Sequence, residues 1–319
     1  MTTIADLHQR KGEHVTEDFR AIGDRVRNWG RWGDDDEIGT LNLVTPERLV
    51  AAAALVRQGK VFDLGIPFDR NGPQTGADRT NPLHFMTEVS GVEHPTGSMR
   101  FADDWVVMPL QAGSQWDALA HIAYDGLIYN GYPDSVITTR GAQRNSIDKI
   151  AKGVAGRGVL LDIARLKGVP WLQRGEVITP GDLDAAAEAE GVEIRPGDIV
   201  CVRTGWRARF LSDGDPKGFH GGAPGLGLAC AEWLHGHDIA AVTADNFGVE
   251  VIPSENPDEP VALHMILIRD MGMTLGEILD FEELAEDCAA DGVWEFFFAG
   301  PPIKFTHAVG SPINPLAFK

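Results

Sequence analysis

Residues 111 to 121 read Gln-Ala-Gly-Ser-Gln-Trp-Asp-Ala-Leu-Ala-His, and the interpretation of the whole chain starts from this stretch. Asp117 and His121 are four residues apart, which puts both on one face if the segment is helical. Gln111, Gln115 and Asp117 share one side instead if the segment is extended. In either conformation several polar groups that can bind a metal or transfer a proton converge. We therefore predict that this stretch forms part of a functional site.

The stretch resembles the signature of the cyclase-type metal-dependent hydrolases, a family that includes bacterial kynurenine formamidase and isatin hydrolase. The family pattern is His-x-Gly-Thr-His-x-Asp-x-Pro-x-His, and Gly113, Asp117 and His121 match it. Gln111 and Gln115 stand where the family has its first two histidines. Further matches occur in order at residues 39–42, 158–163, 197–200 and 203–206, and at His264 followed by Glu277. The similarity runs from about residue 30 to the C-terminus.

The pattern of apolar runs and helix signals predicts an α/β fold. Continuous apolar runs indicate buried strands at residues 159–163, 198–203 and 239–243. Thr-Pro pairs at Thr45 and Thr179 are typical of helix starts. The resemblance implies the swivelling β/β/α arrangement in a single domain with a mixed central sheet. We expect residues 1–30 to form an N-terminal arm and residues 31–319 to form the cyclase-like hydrolase domain.

Composition excludes some classes of partner. The chain of 319 residues has a net charge of −19 at pH 7, which argues against nucleic acid and anionic membranes as partners. Its three cysteines are widely spaced, and we expect buried thiols in a reducing cytoplasm. The N-terminus has no apolar segment of the signal-peptide kind. We therefore predict a cytoplasmic protein that acts on a small molecule.

Several catalytic and nucleotide-binding motifs are absent from the sequence. There is no Gly-x-Ser-x-Gly nucleophile elbow and no Walker A sequence. There is also no Gly-x-Gly-x-x-Gly after a strand and no His-Glu-x-x-His. A serine hydrolase of that kind and a nucleotide cofactor are therefore not supported.

The resemblance implies a metal site made of Asp117, His264 and Glu277. Taken alone, His264 reads as a core histidine in an apolar run, and Glu277 as a carboxylate at a helix start. Glutamine offers only a weak, hard oxygen donor, so Gln111 and Gln115 weaken the half of the site that the family builds from histidines. We therefore predict at most one tightly bound divalent metal, zinc or manganese. The competing outcome is a cavity in which the three residues pair with one another.

The chemistry that such a site supports is hydrolysis by an activated water. By the resemblance, we predict attack on a C–N bond, an amide or lactam, in a small aromatic or cyclic substrate. His121 is the predicted general acid or base, and Asp117 is its catalytic neighbour. The predicted substrate-binding residues are Gln111, Gln115, Trp116, Tyr124, Tyr132 and His84.

Two other functions fit the same residues. The first is a metal-independent lactonase, cyclase or isomerase that uses His121 and Asp117 as base and orienting group. The second is a non-catalytic relative that binds a small ligand, in which Gln111 and Gln115 mark lost chemistry. The resemblance also implies a homo-oligomer, either a homodimer or a homotetramer.

Overall fold

The structure is a computed structural model, and it describes residues 18–89 and 97–319. The strands are β1 (Val61–Asp63), β2 (Leu83–Glu88), β3 (Asp103–Val107), β4 (Gln115–Asp117), β5 (Ile137–Thr138), β6 (Gly141–Ala142), β7 (Ala155–Asp162), β8 (Val177–Ile178), β9 (Ile199–Arg203), β10 (Gly225–Leu226), β11 (Ala241–Ala244), β12 (Thr274–Glu277), β13 (Glu295–Ala299), β14 (Gly310–Pro312) and β15 (Leu316–Phe318). The helices are α1 (Phe19–Arg25), α2 (Pro46–Ala53), α3 (Ile163–Leu166), α4 (Pro180–Glu190), α5 (Trp206–Asp213), α6 (Pro216–His220), α7 (Cys230–Gly236), α8 (Ala262–His264) and α9 (Glu282–Asp291). A π-helical segment, Met265–Met271, continues α8, and short 3-10 turns occupy Gly39–Leu43, Tyr129–Gly131, Asp134–Val136 and Ile147–Ile150.

One mixed sheet of nine strands organises the fold, in the order β1-β15-β13-β7-β9-β11-β12-β4-β14. Its centre is parallel, because β7, β9, β11 and β12 all run in the same direction. Both edges are antiparallel: β13 pairs with β7 on one side, and β4 pairs with β12 and β14 on the other. The predicted mixed central sheet in one α/β domain is confirmed.

Both faces of this sheet are buried. Along β7, Val159 and Leu161 belong to one apolar cluster, and Leu160 between them belongs to a second. Successive side chains of a strand point to opposite faces, so the two clusters lie on opposite sides of the sheet. This double burial accounts for the continuous apolar runs from which the parallel strands were predicted.

Helix ends follow the local signals in the sequence. Thr179 and Asp182 form a reciprocal capping box at the start of α4, with Pro180 at its first position. Gly191 ends the same helix in the left-handed conformation, with φ of 65°. Thr45 caps α2 through the backbone N–H of Arg48 in a similar way. Both predicted Thr-Pro helix starts are therefore confirmed.

Part of the predicted N-terminal arm packs on the domain. Residues 1–17 lie outside the described residues, whereas α1 buries Phe19 and Ile22 in the same apolar cluster as the π-helical segment. The Trp29 indole N–H donates to the carbonyl oxygen of Arg269 at 2.7 Å. Within the described residues, no helix is long and apolar enough to cross a bilayer. Cys201, Cys230 and Cys288 are free and buried, as predicted.

Residues 70–100 are rich in Gly, Pro, Asn and Thr, a composition that predicts a long loop, and this prediction is wrong for Leu83–Glu88. Leu83–Glu88 forms β2, which pairs antiparallel with β3 in a separate two-stranded sheet. The strand went unrecognised because it is exposed along almost its whole length and so lacks the alternation that a half-buried strand shows. His84 lies on this strand, and His94 lies outside the described residues.

Candidate active site

The site is built around β4, which is extended rather than helical. Gln115 and Asp117 point to one face of the sheet and Trp116 to the other, because side chains alternate along a strand. In the pairing with β12, Gln115 lies directly opposite Glu277. The register of these two strands therefore brings Gln115, Asp117 and Glu277 together on one face.

Asp117 is the buried centre of the site. Its Oδ1 has no hydrogen-bond partner, and the residue is only 1 % exposed. The chain turns after β4, with the His121 N–H donating to the Ala118 carbonyl at 2.8 Å. This turn returns the His121 ring to the carboxylate, with Nε2 3.9 Å from Asp117 Oδ1. The predicted meeting of Asp117 and His121 thus arises from a strand and a turn.

His264 lies between two carboxylates. Its Nδ1 is 2.7 Å from Glu250 Oε1, and its Nε2 is 2.9 Å from Glu277 Oε1 and 4.0 Å from Asp117 Oδ2. Glu250 also accepts the backbone N–H of His264 at 2.8 Å. A histidine whose Nδ1–H is held by a carboxylate presents Nε2 in a fixed direction, as metal-ligating histidines do.

The ionisation of the site follows from burial and this pairing. Burial raises the pKa of Asp117 to about 6, helped by the Glu277 charge and opposed by His121 and His264. Burial acts to lower the pKa of His264, but its hydrogen bonds to Glu250 and Glu277 outweigh burial and raise the pKa to about 10. Burial acts to raise the pKa of Glu277, and the hydrogen bond with His264 reverses this and lowers the pKa.

Asp117, His264 and Glu277 have the chemistry of a metal site. One ligand atom from each lies within 4.8 Å of the others, and among the described residues this is the one group of three or more such side chains that meets this test. The unpartnered Oδ1 of Asp117 supplies a free donor on a buried group, and buried polar atoms are normally satisfied. One nitrogen and two carboxylate oxygens form a donor set that divalent zinc or manganese accepts. These residues therefore fit a single divalent ion.

The two glutamines occupy different positions beside this group. Gln115 donates from Nε2 to Glu277 Oε2 at 2.8 Å, while its Oε1 is buried without a partner. The Gln111 amide lies over Gly310, where an added Cβ would come within 2.4 Å of its Nε2. Gly310 is the cross-strand neighbour of Asp117, so Gln111 lies on the same face of the sheet as the carboxylate. Both glutamines therefore border the site.

Two β-branched residues next to the site adopt left-handed backbone angles. Val249, before Glu250, has φ of 57°, and Ile278, after Glu277, has φ of 58°. Such conformations cost roughly 1–3 kcal/mol each and persist where the surroundings fix them. Asn246 fixes both, because its Oδ1 accepts the N–H of Val249 and its carbonyl accepts the N–H of Ile278, each at 2.9 Å. The strain sits on the residues that position the two carboxylates.

The other predicted substrate-binding residues lie elsewhere. Trp116 is fully buried on the opposite face of β4, with its indole N–H donating to the Gly300 carbonyl at 2.6 Å. Tyr124 donates to Asp270 of the π-helical segment. Tyr132 donates to the Asp34 carbonyl at 3.0 Å, and His84 contacts Asp104 at 2.7 Å on the exposed two-stranded sheet. Among the described residues, no hydrogen bond or ion pair joins any of these four side chains to Asp117, His264 or Glu277.

Sequence reasoning missed Glu250. It lies after β11 in a segment without periodicity, 14 residues before its partner His264. A buried acidic residue has no signature in a single sequence unless its partner is known. The only hint is that Gly248-Val-Glu250 lies in the loop after the predicted strand at residues 239–243, where α/β folds place functional residues.

Comparison with known proteins places the chain in a family. The cyclase family model matches residues 62–251, more than half of the chain, including Asp117 and His121. A crystal structure described as a novel cyclase is 42% identical, with a TM-score of 0.86 over 92% of this chain and 100% of that one. The chain belongs to the cyclase family.

Two isatin hydrolases are more distant relatives. Isatin hydrolase of Roseibium aggregatum is 26% identical over 232 residues, 70% of this chain and 78% of that protein. The structure of isatin hydrolase A from Labrenzia aggregata, bound to benzyl benzoate, is 19% identical. Its TM-score is 0.59, covering 85% of this chain and 97% of that one, and it shows a shared fold.

The pairing of His264 with Glu250 can be tested by titration of the metal-free protein. The folded-state pKa of about 10 lies above the unfolded value, so the stabilisation is complete below about pH 6.5 and is lost as pH rises towards 10. We expect the free energy of unfolding to fall by roughly 2 kcal/mol between pH 7 and 9, and Glu250→Gln to reduce that slope. Histidine NMR with chelator present follows the His264 ring directly. A His264 resonance that titrates near pH 6.5 in both proteins would contradict the pairing.

Proposed function

We propose that this protein is a hydrolase that cleaves a C–N bond, an amide or lactam, in a small cyclic or aromatic substrate. The main observation behind the proposal is the environment of the Asp117 side chain. It is a buried carboxylate with an unpartnered oxygen, beside His121 and the His264–Glu277 pair. A purely structural carboxylate in that position would be fully hydrogen-bonded.

Asp117, His264 and Glu277 would hold one divalent ion, zinc or manganese. When bound, such an ion lowers the pKa of a coordinated water to near 7 and so supplies a nucleophile at neutral pH. Glu250 keeps the Nε2 of His264 directed at the site, and Gln115 keeps Glu277 in place through its side-chain amide. These two hydrogen bonds limit the motion of the His264 and Glu277 side chains.

His121 is suited to transfer the proton. Its side chain is 20% exposed, whereas that of Asp117 behind it is 1% exposed, so the ring lies between solvent and the buried carboxylate. Asp117 Oδ1, 3.9 Å from His121 Nε2, would orient the ring during this transfer. His121 would give its proton to the departing nitrogen, which leaves as an amine.

The relatives support this reaction class. The name of the Roseibium aggregatum relative gives isatin as its substrate, and isatin contains a lactam in a ring fused to an aromatic ring. The 42% identical relative is described only as a cyclase, so the choice of an amide or lactam rests on the more distant protein and on the site. The alternative function is that of a lactonase or isomerase that needs no metal. The assay described next distinguishes it from metal-dependent amide or lactam hydrolysis.

The function is tested by hydrolysis of a panel of small lactams, N-formyl arylamines and lactones, followed by chromatography of the products. We expect turnover of a lactam or amide that is lost in chelator and restored by zinc or manganese. His121→Asn should lower kcat by about a hundredfold or more, because a positioned acid–base group contributes that much.

His237→Asn is the matched control, because His237 packs on Trp233 at 4.4 Å in the α7 region and should leave turnover unchanged. Equal rates in wild type and His121→Asn would overturn the role of His121. Lactone hydrolysis that survives chelation, with no amide cleavage, would favour the metal-independent alternative.

We also propose that the protein is a homo-oligomer that associates through β2 and β3. Large apolar side chains are exposed along both strands, with Phe85 at 52%, Trp105 at 69% and Val107 at 57%. A two-stranded sheet is only marginally stable in water unless one face is packed. We therefore propose that a second copy of the chain covers the apolar face of β2 and β3.

The oligomer is tested by light scattering on the eluting protein. We expect a mass that is a multiple of 34.6 kDa for wild type, and monomers for the double variant Trp105→Asp/Val107→Asp. Val50→Asp, at a 72% exposed apolar position of α2, is the control and should keep the wild-type mass. Wild-type protein that is monomeric at micromolar concentration would contradict the homo-oligomer proposal.

A further inference from the structure

A cavity of about 330 Å³ lies between α2 and the first residues of β7 and β9. Gly156 and Gly197 form part of its lining, and neither has a side chain that could fill it. The other apolar lining residues are aliphatic: Val44, Ala51, Ala52, Leu55 and Pro196. Pockets for small ligands measure roughly 300–1,000 Å³ and have mostly apolar walls with a few polar groups. This cavity therefore has the size and walls of a site for a small organic molecule.

The cavity lies at the opposite end of the parallel strands from the candidate active site. Asp198, which lines the cavity, directly precedes β9. Ala241 of β11 pairs with both Ile199 and Thr274, so the first residues of β9, β11 and β12 are level. Glu277, at the far end of β12, is therefore four residues further along the sheet than Asp198, roughly 13 Å at the rise of a β-strand. The residues that line the cavity are different from those of the active site.

Three arginines line the cavity, and two of them already have carboxylate partners. Arg157 Nη1 lies 2.5 Å from Asp198 Oδ2, and its Nε lies 2.7 Å from Glu295 Oε2. Arg195 pairs with Glu193 at 3.0 Å. Asp198 is the acidic residue of the lining, and its Oδ2 also accepts the backbone N–H of Arg195 at 2.7 Å. The charges of these groups are therefore balanced within the protein.

Arg48, the third arginine, has no carboxylate partner among the described residues. Its Nη1 donates to the Leu43 carbonyl at 2.6 Å. Its side chain lies directly against the backbone of Gly197, where an added Cβ would be 2.9 Å from Arg48 Cδ and 3.4 Å from Nη1. The contact through Nη1 leaves the other edge of the guanidinium, where the N–H bonds of Nε and Nη2 run parallel, without a partner in the described part of the chain.

We propose that this cavity binds a small organic carboxylate, with the carboxylate on the Nε–Nη2 edge of Arg48 and the apolar body of the ligand against α2. Two parallel N–H donors match the two oxygens of a carboxylate in the bidentate geometry that arginine favours. The aliphatic walls gain free energy when they cover the apolar body of the ligand. A neutral ligand of the same shape lacks the charge pair with Arg48, and inorganic phosphate lacks the apolar body, so both bind more weakly.

The experiment measures the binding of benzoate and hexanoate to the full chain by calorimetry, with benzyl alcohol, hexan-1-ol and inorganic phosphate for comparison. We expect each carboxylate to bind at least about tenfold more tightly than its alcohol, because a hydrogen bond between charged groups contributes that much. Crystals soaked with 4-bromobenzoate locate the ligand by the anomalous signal of bromine. We expect a bromine peak in the cavity between α2 and the start of β7.

Three variants separate the charge of Arg48 from the shape of the cavity. Arg48→Gln removes the charge and should lower the affinity for both carboxylates at least about tenfold, with the alcohols unaffected. Arg57→Gln is the matched control, because Arg57 also donates to a backbone carbonyl, that of Ala54 at 3.4 Å, but does not line the cavity. Ala51→Phe, at an exposed lining position, should weaken the carboxylates and the alcohols alike. Thermal unfolding confirms that each variant is folded.

Several results would overturn the carboxylate site. Equal carboxylate affinity in wild type and Arg48→Gln would do so, as would phosphate that binds as tightly as benzoate. A bromine peak at Asp117 and none in the cavity would show that the ligand occupies the active site instead. Folded wild-type protein that binds neither carboxylate at millimolar concentration would also contradict the site. None of these measurements depends on turnover, so they leave the hydrolase proposal to its own assay.

Discussion

The burial of three carboxylates around one histidine is the constraint on which the site depends. Asp117, Glu250 and Glu277 are nearly inaccessible, and His264 contacts Glu250 and Glu277 directly. Buried charge is costly unless it is paired or binds a metal. The pairing of β4 with β12 and the strained turns around Asn246 hold these groups in place. Strand register and local backbone strain therefore both position the same cluster of charged residues.

Gln115 stands where the family pattern has a histidine, and the two side chains differ in chemistry. A histidine there would offer a metal a strong nitrogen ligand, whereas Gln115 uses its amide N–H to hold Glu277 and leaves its oxygen unpaired. The amide is neutral at every pH, so it adds no charge to a site that already contains three carboxylates. We propose that these hydrogen-bonding groups replace one half of the family's metal site and that Asp117, His264 and Glu277 form the other half.

Short sequence patterns predicted those strands and helix starts that depend only on neighbouring residues. The buried strands at β7, β9 and β11 and the capped starts of α2 and α4 could be predicted because each depends on neighbouring residues. The association of Asp117 with His264 and Glu277 depends on contacts across about 150 residues, and only the family resemblance anticipated it. The strand β2 and the contact of Glu250 with His264 had no local pattern in the sequence. Trp116 was predicted as a substrate contact from its place in the motif, and strand alternation directs it into the core.

The most direct test of the account is anomalous diffraction from crystals of the protein loaded with zinc or manganese, collected at the absorption edge of the metal. The account predicts one peak per chain at about 2.0–2.3 Å from Asp117, His264 Nε2 and Glu277, with Gln115 still bound to Glu277. Two peaks per chain would contradict it, as would a peak coordinated by Gln111 and Gln115 without His264. So would metal-saturated crystals with no peak and the His264–Glu277 contact intact.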